Sequence, residues 1–158
     1  MLTHVDEANR PTMVDVGAKR VTQRRATAQA RVVFPDDTIV ESGVELRTKK
    51  GPVFDTAIIA GAMAVKRTSE LIPFCHPIPI ESCDIDLRWD GSAAIVIECT
   101  VQATHKTGVE MEALTGATVA ALTVYDMCKA LSLGIRIESV ELLAKSGGKR
   151  DFDARAER

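Results

Sequence analysis

The stretch CDIDLRWDGSAAIVIECTVQAT, residues 83–104, predicts two antiparallel strands joined by a hairpin turn. Apolar and polar residues alternate over residues 83–89, which is the period of a strand buried on one face. Asp90 and Gly91 follow, a pair favoured in tight hairpin turns. The return strand is predicted over residues 94–104. The core-facing side chains of the two predicted strands are Cys83, Ile85, Leu87, Trp89, Ile95, Ile97, Cys99 and Val101.

The residues before this hairpin predict a strand and then a helix. Residues 54–71 have helical character, and the stretch 56–65 carries no charge, so most sides of this helix should be covered. Pro73 is expected to mark the end of the helix. Further upstream, residues 26–34 alternate as a strand does, and a short helix is predicted within residues 35–46.

A longer helix is predicted after the hairpin, over residues 108–132. Thr107 and Glu110 match a capping box, with Thr107 as the N-cap and Glu110 at the third helical position. Gly134 is the expected stop signal, because glycine readily adopts the backbone conformation that ends a helix.

The last predicted element is a strand over residues 135–145. The phase of its apolar residues slips between Ile137 and Val140, which predicts a bulge. The resulting order is β-α-β-β-α-β, which predicts an α+β, ferredoxin-like fold with two main helices on one face of an antiparallel sheet. We expect a single domain over residues 1–158, in which residues 1–25 and 151–158 are flexible.

The composition is that of a globular protein without a membrane span. The chain has 158 residues, of which 46% are hydrophobic. No apolar run approaches the roughly 20 residues that cross a bilayer, and the N-terminal segment lacks the layout of a signal peptide. The four cysteines form no CxxC motif, and with only three histidines they argue against a zinc site. We therefore expect a cytoplasmic protein with reduced, mostly buried thiols and no bound metal.

Basic residues cluster along the chain although the net charge is −2. The clusters are Lys49-Lys50, Lys66-Arg67 and Lys149-Arg150, with Lys145 close to the last of them. A protein that binds nucleic acid would be basic overall and supply aromatic side chains for stacking, whereas aromatic residues make up 4% of this chain. The clusters are either a solvated surface or a site for a small polyanion, and no nucleic-acid partner is expected.

The middle of the long helix, from Ala113 to Tyr125, contains no charged residue. A helix on the outside of a small domain normally shows a polar face. This helix is therefore either well covered within a monomer or packed against another subunit. The second interpretation is favoured, because a two-layer fold leaves one face of each helix uncovered.

Charged residues return at the two ends of this helix. Glu110 and Glu112 lie in the first turns, where carboxylates suit the helix dipole. Asp126 lies in the last turns, where a carboxylate faces the negative end of the dipole, and it is three residues from Lys129. An ordinary salt bridge would explain the pair, but so would a lysine held charged or positioned for proton transfer.

Two loops have the composition of binding segments. In LIPFCHPIPI, residues 71–80, three prolines fix the backbone around His76. Such rigidity suits a preorganised binding residue, although a plain helix-to-strand turn with an exposed histidine would use the same prolines. In KSGGK, residues 145–149, two glycines between lysines let backbone N–H groups approach an anion.

Several motifs stand out along the chain as a whole: MVDVGAK, KKG, AKRTSELIPFCHP, TGVEMEALTGATVAALTVYDMCKA and LLAKSGGK. Together, from about Leu2 to Phe152, they resemble the MoaC family, the cyclic pyranopterin monophosphate synthases of molybdenum-cofactor biosynthesis. The resemblance implies a lyase that converts 3′,8-cyclo-7,8-dihydroguanosine 5′-triphosphate, made by a radical SAM partner, into cyclic pyranopterin monophosphate and pyrophosphate. It further implies a homohexamer built from dimers. It calls for no cofactor and leaves open whether Mg²⁺ accompanies the triphosphate.

The same resemblance assigns the site residues, motif by motif. The implied catalytic residues are Asp126, Lys129 and Lys50. The implied substrate-binding residues are Phe74, Cys75, His76, Glu110, Met111, Glu112 and Lys145. A competing hypothesis is a regulatory module that binds a phosphate ligand on the same fold. Such a module would need the cations but not the paired Asp126 and Lys129.

The two ends of the long helix are too far apart to act on one small group. Glu112 and Asp126 are 14 residues apart, which corresponds to about 21 Å along a helix. Two such helices packed antiparallel about a two-fold axis would bring opposite ends together. We therefore predict a composite site at a dimer interface, with Glu112 from one chain and Asp126 and Lys129 from its partner. The alternative is that the long substrate spans both ends of the helix within a single chain.

Overall fold

The computed structural model describes residues 8, 10–35, 46–91 and 93–156 of the chain. The short helix predicted within residues 35–46 falls on residues outside this part. None of the helices in the described part combines the length and hydropathy that a bilayer crossing requires.

The helices and strands are β1 (Thr22–Val33), β2 (Arg47–Thr48), β3 (Gly51–Pro52), α1 (Val53–Lys66), α2 (Thr68–Leu71), β4 (Ser82–Trp89), β5 (Ala94–His105), α3 (Glu110–Cys128), β6 (Arg136–Ser146) and β7 (Phe152–Asp153). The six long elements, β1, α1, β4, β5, α3 and β6, follow one another in the predicted order, β-α-β-β-α-β. The strands β2, β3 and β7 were not predicted, because strands of two residues carry no readable periodicity. Strand β1 begins four residues earlier than the predicted 26–34.

The strands form one five-stranded antiparallel sheet in the order β4-β5-β1-β6-β7, and β2 and β3 form a separate hairpin. Strand β5 lies between β4 and β1, and β1 lies between β5 and β6. Helices α1 and α3 pack against each other, and α3 also packs on β1, β5 and β6. This is the split arrangement of a ferredoxin-like fold, so the predicted fold class is confirmed.

The hairpin register places the predicted side chains on the helix-covered face. Leu87 pairs with Ile97, and Ile85 pairs with Cys99. On β1, the residues that face the helices are small: Ala26, Ala28 and Ala30 are buried and allow α3 to approach the sheet closely.

The two main helices cross at glycines. A Cβ atom added at Gly61 of α1 would lie 2.9 Å from the backbone oxygen of Gly116 on α3. A Cβ atom added at Gly116 would lie 2.6 Å from the Cys99 Sγ and 2.6 Å from a methyl carbon of Val65. Both glycines are therefore required by close packing rather than by backbone flexibility.

The first predicted helix, 54–71, is interrupted at Arg67, whose φ and ψ are −111° and 12°. At the break, the buried hydroxyl of Thr68 donates to the backbone oxygens of Val65 at 3.0 Å and Ala64 at 3.3 Å. Helix α2 then ends at Leu71, before Pro73 as expected.

The predicted bounds of the long helix, 108–132, were too wide, and the predicted capping box was wrong. Helix α3 begins at Glu110 after Val109, and no side chain caps it. The Glu110 carboxylate instead accepts from the Lys145 ammonium, which a local sequence pattern does not reveal. At the other end the helix stops at Cys128, well before Gly134, whose N–H donates to the Ser132 hydroxyl oxygen at 3.0 Å.

The predicted bulge in the last strand is confirmed. Gln29 pairs with Glu141 and Arg31 pairs with Glu138, so two residues of β6 lie opposite Ala30. One of them, Ser139, has a φ of 52°, a left-handed conformation that non-glycine residues adopt at bulges and turns. The bulge accounts for the slipped apolar phase.

Candidate active site

A cavity of about 690 Å³ opens at the N-terminal end of α3. It lies between the proline-rich segment 72–78, the start of α3, the residues after β6 and the N-terminal segment before β1. All seven residues implied to bind substrate line this cavity: Phe74, Cys75, His76, Glu110, Met111, Glu112 and Lys145. Long-range packing therefore brings three separate sequence motifs to one place.

The rigid segment holds His76 in contact with the N-terminal segment. The His76 Nε2 lies 2.9 Å from the backbone oxygen of Val14. A carbonyl oxygen can only accept, so Nε2 carries the hydrogen and donates it. The ring is half-buried, whereas the plain-turn alternative expected an exposed histidine. His76 therefore ties the chain before β1 to the wall of the cavity.

Residues of the N-terminal segment complete the cavity, and no site residue was assigned to them from the sequence. Val14, Val16 and Lys19 line the cavity, and the Lys106 ammonium donates to the backbone oxygen of Gly17 at 2.6 Å. The available signal was the motif MVDVGAK, which contributed to the family resemblance without any of its residues being assigned to the site. Lys149 also lines the cavity.

The glycine-rich loop after β6 is built differently from the predicted anion cradle. The Gly147 N–H donates to the Asp151 carboxylate at 3.1 Å, so this donor is already used. Gly147 has a φ of 82°, and a Cβ atom added there would overlap the backbone oxygen of Gln23. The glycine is therefore needed because strand β1 passes close to the loop.

The two carboxyl groups at the start of α3 have different surroundings. The Glu110 carboxylate accepts from the Lys145 ammonium at 2.9 Å, and both side chains are about one third exposed. The Glu112 side chain is 3% exposed. Burial and, to a smaller extent, the nearby charge of Glu110 raise the pKa of Glu112 to about 7, against a hydrogen bond from the Glu112 backbone N–H that lowers it. Burial also raises the pKa of the Cys75 thiol, and the negative charge of Glu112 adds to this.

A second cluster, at the C-terminal end of α3, unites the three residues implied to be catalytic. The Asp126 carboxylate accepts from the Lys129 ammonium at 2.7 Å and from the Lys50 ammonium at 2.6 Å. Lys50 also donates to the backbone oxygen of Asp126 at 3.0 Å. All three side chains are about half exposed.

The electrostatics of this cluster favour charged groups. Hydrogen bonds from Lys129 and then from Lys50 hold the pKa of Asp126 at about 2. The reciprocal hydrogen bond to Asp126 raises the pKa of Lys129 above its usual range. Asp126 therefore stays ionised at neutral pH and keeps Lys129 protonated.

Local structure explains how Lys50 reaches Asp126. Strands β2 and β3 form a tight hairpin in which Thr48 pairs with Gly51, so Lys50 lies in its turn. Gly51 has a φ of 114°, which only glycine adopts without strain. The turn that contains the motif KKG therefore carries the lysine to the end of α3.

Within one chain the two clusters stay apart. None of Lys50, Asp126 and Lys129 lines the cavity, and Glu112 and Asp126 are separated by 14 residues of one helix, or about 21 Å. Between the two ends, α1 and α3 expose large apolar side chains: Ile59, Met63 and Leu122. The uncharged middle of α3 is thus partly open in the single chain.

The chain is similar to known proteins over most of its length. The family model described as "MoaC family" matches residues 13–148. A cyclic pyranopterin monophosphate synthase of Xanthomonas campestris pv. campestris is 59% identical, with 97% of this chain and 93% of that protein covered. A protein of the same name from Listeria welshimeri is 49% identical, over 94% of this chain and 92% of that protein. A "Molybdenum cofactor biosynthesis bifunctional protein" of Synechocystis is 49% identical, and the match covers 96% of this chain and 45% of that protein. This chain therefore belongs to the MoaC family.

Proposed function

We propose that this protein is a cyclic pyranopterin monophosphate synthase. It converts 3′,8-cyclo-7,8-dihydroguanosine 5′-triphosphate into cyclic pyranopterin monophosphate with release of pyrophosphate, in the cytoplasm. The observation that carries the proposal is the convergence of Lys50, Asp126 and Lys129, which come from two distant motifs and meet through one carboxylate. The names of relatives that cover nearly the whole chain support the same activity.

The two clusters supply the groups that this chemistry needs. Rearranging a purine requires proton donors and acceptors, and expelling pyrophosphate requires cations that stabilise the leaving group. Lys129, held protonated by Asp126, can donate a proton or stabilise developing negative charge. Lys129 can act as a base only after it has lost its proton, and the ion pair with Asp126 opposes that loss. In the cavity, Lys19, Lys145 and Lys149 provide positive charge for a triphosphate.

The activity is tested directly by supplying the cyclic nucleotide triphosphate to the purified protein. We expect stoichiometric release of pyrophosphate together with the pterin product, followed by chromatography and fluorescence. The Lys129→Ala variant is the control for contaminating phosphatases, since it removes a half-exposed side chain and one of the two ammonium groups that contact Asp126. Binding of the substrate without pyrophosphate release would favour the regulatory module instead.

The separation of the two clusters supports a composite site between two chains of a dimer. We propose that two copies of α3 pack antiparallel across a two-fold axis, so that the cavity of one chain lies beside the Asp126 cluster of its partner. The exposed Ile59, Met63 and Leu122 offer apolar contact area for this interface. Three such dimers would form the hexamer that the family resemblance implies.

Subunit complementation tests the composite site. Glu112→Ala and Lys129→Ala, each inactive alone, are mixed under conditions that exchange subunits. One of the two sites in each mixed dimer is then intact, so activity should return. The matched control mixes Glu112→Ala with the double variant Glu112→Ala/Lys129→Ala, which restores no site. Continued inactivity of the first mixture after confirmed exchange would rule out the composite model.

A further inference from the structure

The segment before β1 borders the cavity without belonging to a helix or a strand. We call residues 13–19 the strap. It contributes three residues to the cavity wall, Val14, Val16 and Lys19. Val14 and Val16 are half-buried and Asp15 between them is exposed, so the strap turns alternate side chains towards the cavity. The place of the Lys19 ammonium therefore depends on what holds the backbone of the strap.

Two side chains from other parts of the chain hold the strap by its backbone oxygens. His76 donates to the Val14 oxygen at 2.9 Å. The Lys106 ammonium, from the residue after β5, donates to the Gly17 oxygen at 2.6 Å. The Gly17 N–H donates in turn to the Asp15 carboxylate at 2.7 Å, which folds the backbone into a local turn. Lys106 therefore holds the strap at this turn.

The backbone of Lys106 is itself fixed by strand β1. The Arg24 guanidinium donates to the backbone oxygens of His105 at 3.2 Å and of Lys106 at 3.3 Å. Thr22, the first residue of β1, pairs with His105 in the sheet. The Lys106 side chain is half-buried, and it is not among the residues that line the cavity. Its ammonium therefore joins the strap to the end of the sheet.

The Lys106 contact shortens the stretch of chain that can move around Lys19. From Val14 to Thr22, the first residue of β1, the chain makes eight residue steps, which span up to about 28 Å. Fixing Gly17 reduces this stretch to five steps, or about 17 Å, and leaves Lys19 two steps from a fixed point. A shorter stretch has fewer conformations, so Lys19 loses less entropy when it binds an anion.

We propose that Lys106 is a positioning residue: by holding the strap at Gly17, it aims the Lys19 ammonium at the phosphates of the substrate. Lys106 acts through the strap and does not contact the substrate. A hydrogen bond from an ammonium is roughly twice as strong as one between neutral groups, which suits a single anchoring contact. The identity of the anion, a triphosphate, rests on the proposed function, whereas the hold of Lys106 on the strap does not.

The anchoring is tested first, by hydrogen exchange on the full protein without substrate. Lys106→Met keeps the approximate length of the side chain and removes its charge and its donors. The Gly17 and Lys19 amides, which donate to Asp15 and to the Val16 oxygen, should then exchange several-fold faster. Lys106→Arg, which keeps a cationic donor, should exchange as wild type does.

The same samples show whether the effect is confined to the strap. Exchange of the β5 amides and the melting temperature of Lys106→Met should equal those of wild type. Unchanged exchange of the strap in Lys106→Met overturns the proposal. A clearly lower melting temperature also overturns it, since Lys106 would then support the fold as a whole.

The action of Lys106 through Lys19 is tested second, by a double-mutant cycle. Isothermal titration with inorganic triphosphate is carried out on wild type, Lys19→Met, Lys106→Met and the double variant. Lys106→Met should weaken binding about tenfold in the wild-type background and by no more than about twofold in the Lys19→Met background. Equal losses in both backgrounds would mean that Lys106 contacts the anion itself, which overturns the proposal. A wild type that binds no triphosphate would overturn it as well.

Turnover separates this inference from the proposed function. With the cyclic nucleotide triphosphate, Lys106→Met should raise KM about tenfold and leave kcat within about threefold of wild type, because binding is lost and the chemical step is not. Lys66→Met removes an exposed lysine outside the cavity and is the matched control, which should behave as wild type. A loss confined to kcat would overturn the positioning role. If wild type releases no pyrophosphate, the proposed function fails, and hydrogen exchange and triphosphate binding still decide the role of Lys106.

Discussion

The two ends of α3 show how burial and charge pairing shift the pKa of a carboxyl group in opposite directions. Burial dominates at one end and charge pairing at the other. At the N-terminal end, Glu112 is almost fully buried, has no lysine or arginine within ion-pair distance among the described residues of its own chain, and its pKa is raised to about 7. At the C-terminal end, Asp126 is about half exposed, contacts two ammonium groups, and its pKa is lowered to about 2. The helix dipole would favour the opposite order, so direct contacts and desolvation dominate over the dipole.

The difference assigns different tasks to the two ends. A carboxyl that titrates near neutral pH can exchange protons with a substrate during turnover. A carboxylate that stays ionised at every physiological pH serves instead to hold its partners, here Lys50 and Lys129, and to raise the pKa of Lys129. We therefore expect substitutions at the two ends of α3 to change different measured properties, and by different amounts.

The largest effect is expected from breaking the C-terminal cluster. Lys129→Ala should reduce turnover by roughly 10²–10⁴-fold, the range for a lost proton donor, because Asp126 then holds only Lys50. Substrate affinity should stay within about tenfold, or 1.4 kcal/mol, of wild type by isothermal titration. Lys49→Ala, which removes an exposed neighbouring lysine, is the control and should be fully active. Loss of binding together with turnover would make Lys129 a phosphate ligand instead.

The raised pKa of Glu112, at the N-terminal end of α3, should make the free energy of unfolding depend on pH. The folded pKa of Glu112 lies above the ordinary value of a glutamate, so its contribution to stability is present at low pH and is lost as pH rises. Between about pH 4.3 and 7 the free energy of unfolding of wild type should fall by about 3 kcal/mol relative to Glu112→Gln. Urea unfolding at pH 4, 6 and 8 measures this. Parallel curves for the two proteins would show that Glu112 is not held neutral in the folded state.

Asp126, at the other end of α3, should affect the pH dependence of the free energy of unfolding in the opposite direction. Its folded pKa lies below the ordinary value, so its contribution is present above about pH 4 and is lost only as pH falls towards about 2. Replacing Asp126 with Asn should therefore leave the slope of stability against pH unchanged between pH 6 and 8, measured by the same urea titrations. A change of slope in that range would mean that Asp126 titrates near neutral pH.

The helix between the two ends depends on glycine packing. Gly116→Ala places a methyl group 2.6 Å from the Cys99 Sγ and from Val65, so either the helix or the sheet must shift. Overpacking of this kind should destabilise the fold by about 1–3 kcal/mol in thermal unfolding. A melting temperature equal to that of wild type would show that α3 can move without cost.

The smallest effect is expected at the rigid wall of the cavity. Pro77→Ala frees the backbone after His76 and should lower kcat/KM several-fold, while the melting temperature stays close to that of wild type. The hydrogen bond from His76 to the Val14 backbone oxygen makes the N-terminal segment the element that loosens. Faster hydrogen exchange of residues 13–19 in the variant would support this. Full activity of the variant would favour the alternative that the prolines form only a helix-to-strand turn.

Several predictions from the sequence succeeded because they rest on short-range geometry. The alternation over residues 83–104 is enough to identify the hairpin, since side chains of a strand must alternate between core and solvent. The phase slip between Ile137 and Val140 likewise reports the bulge directly. The capping box failed because Glu110 has a stronger partner in Lys145, 35 residues away, and no local pattern contains that competitor.

Periodicity was therefore sufficient for the order of elements, the fold class and the faces that form the core, because these follow from the spacing of apolar side chains along a regular backbone. The family motifs implied a set of site residues, but not their grouping. The assembly of the cavity from four segments, the joining of Lys50 to Asp126 and the separate burial of Glu112 all depended on contacts between residues far apart in the chain. Such contacts determine desolvation and ion pairing, and hence the protonation states on which the chemistry depends.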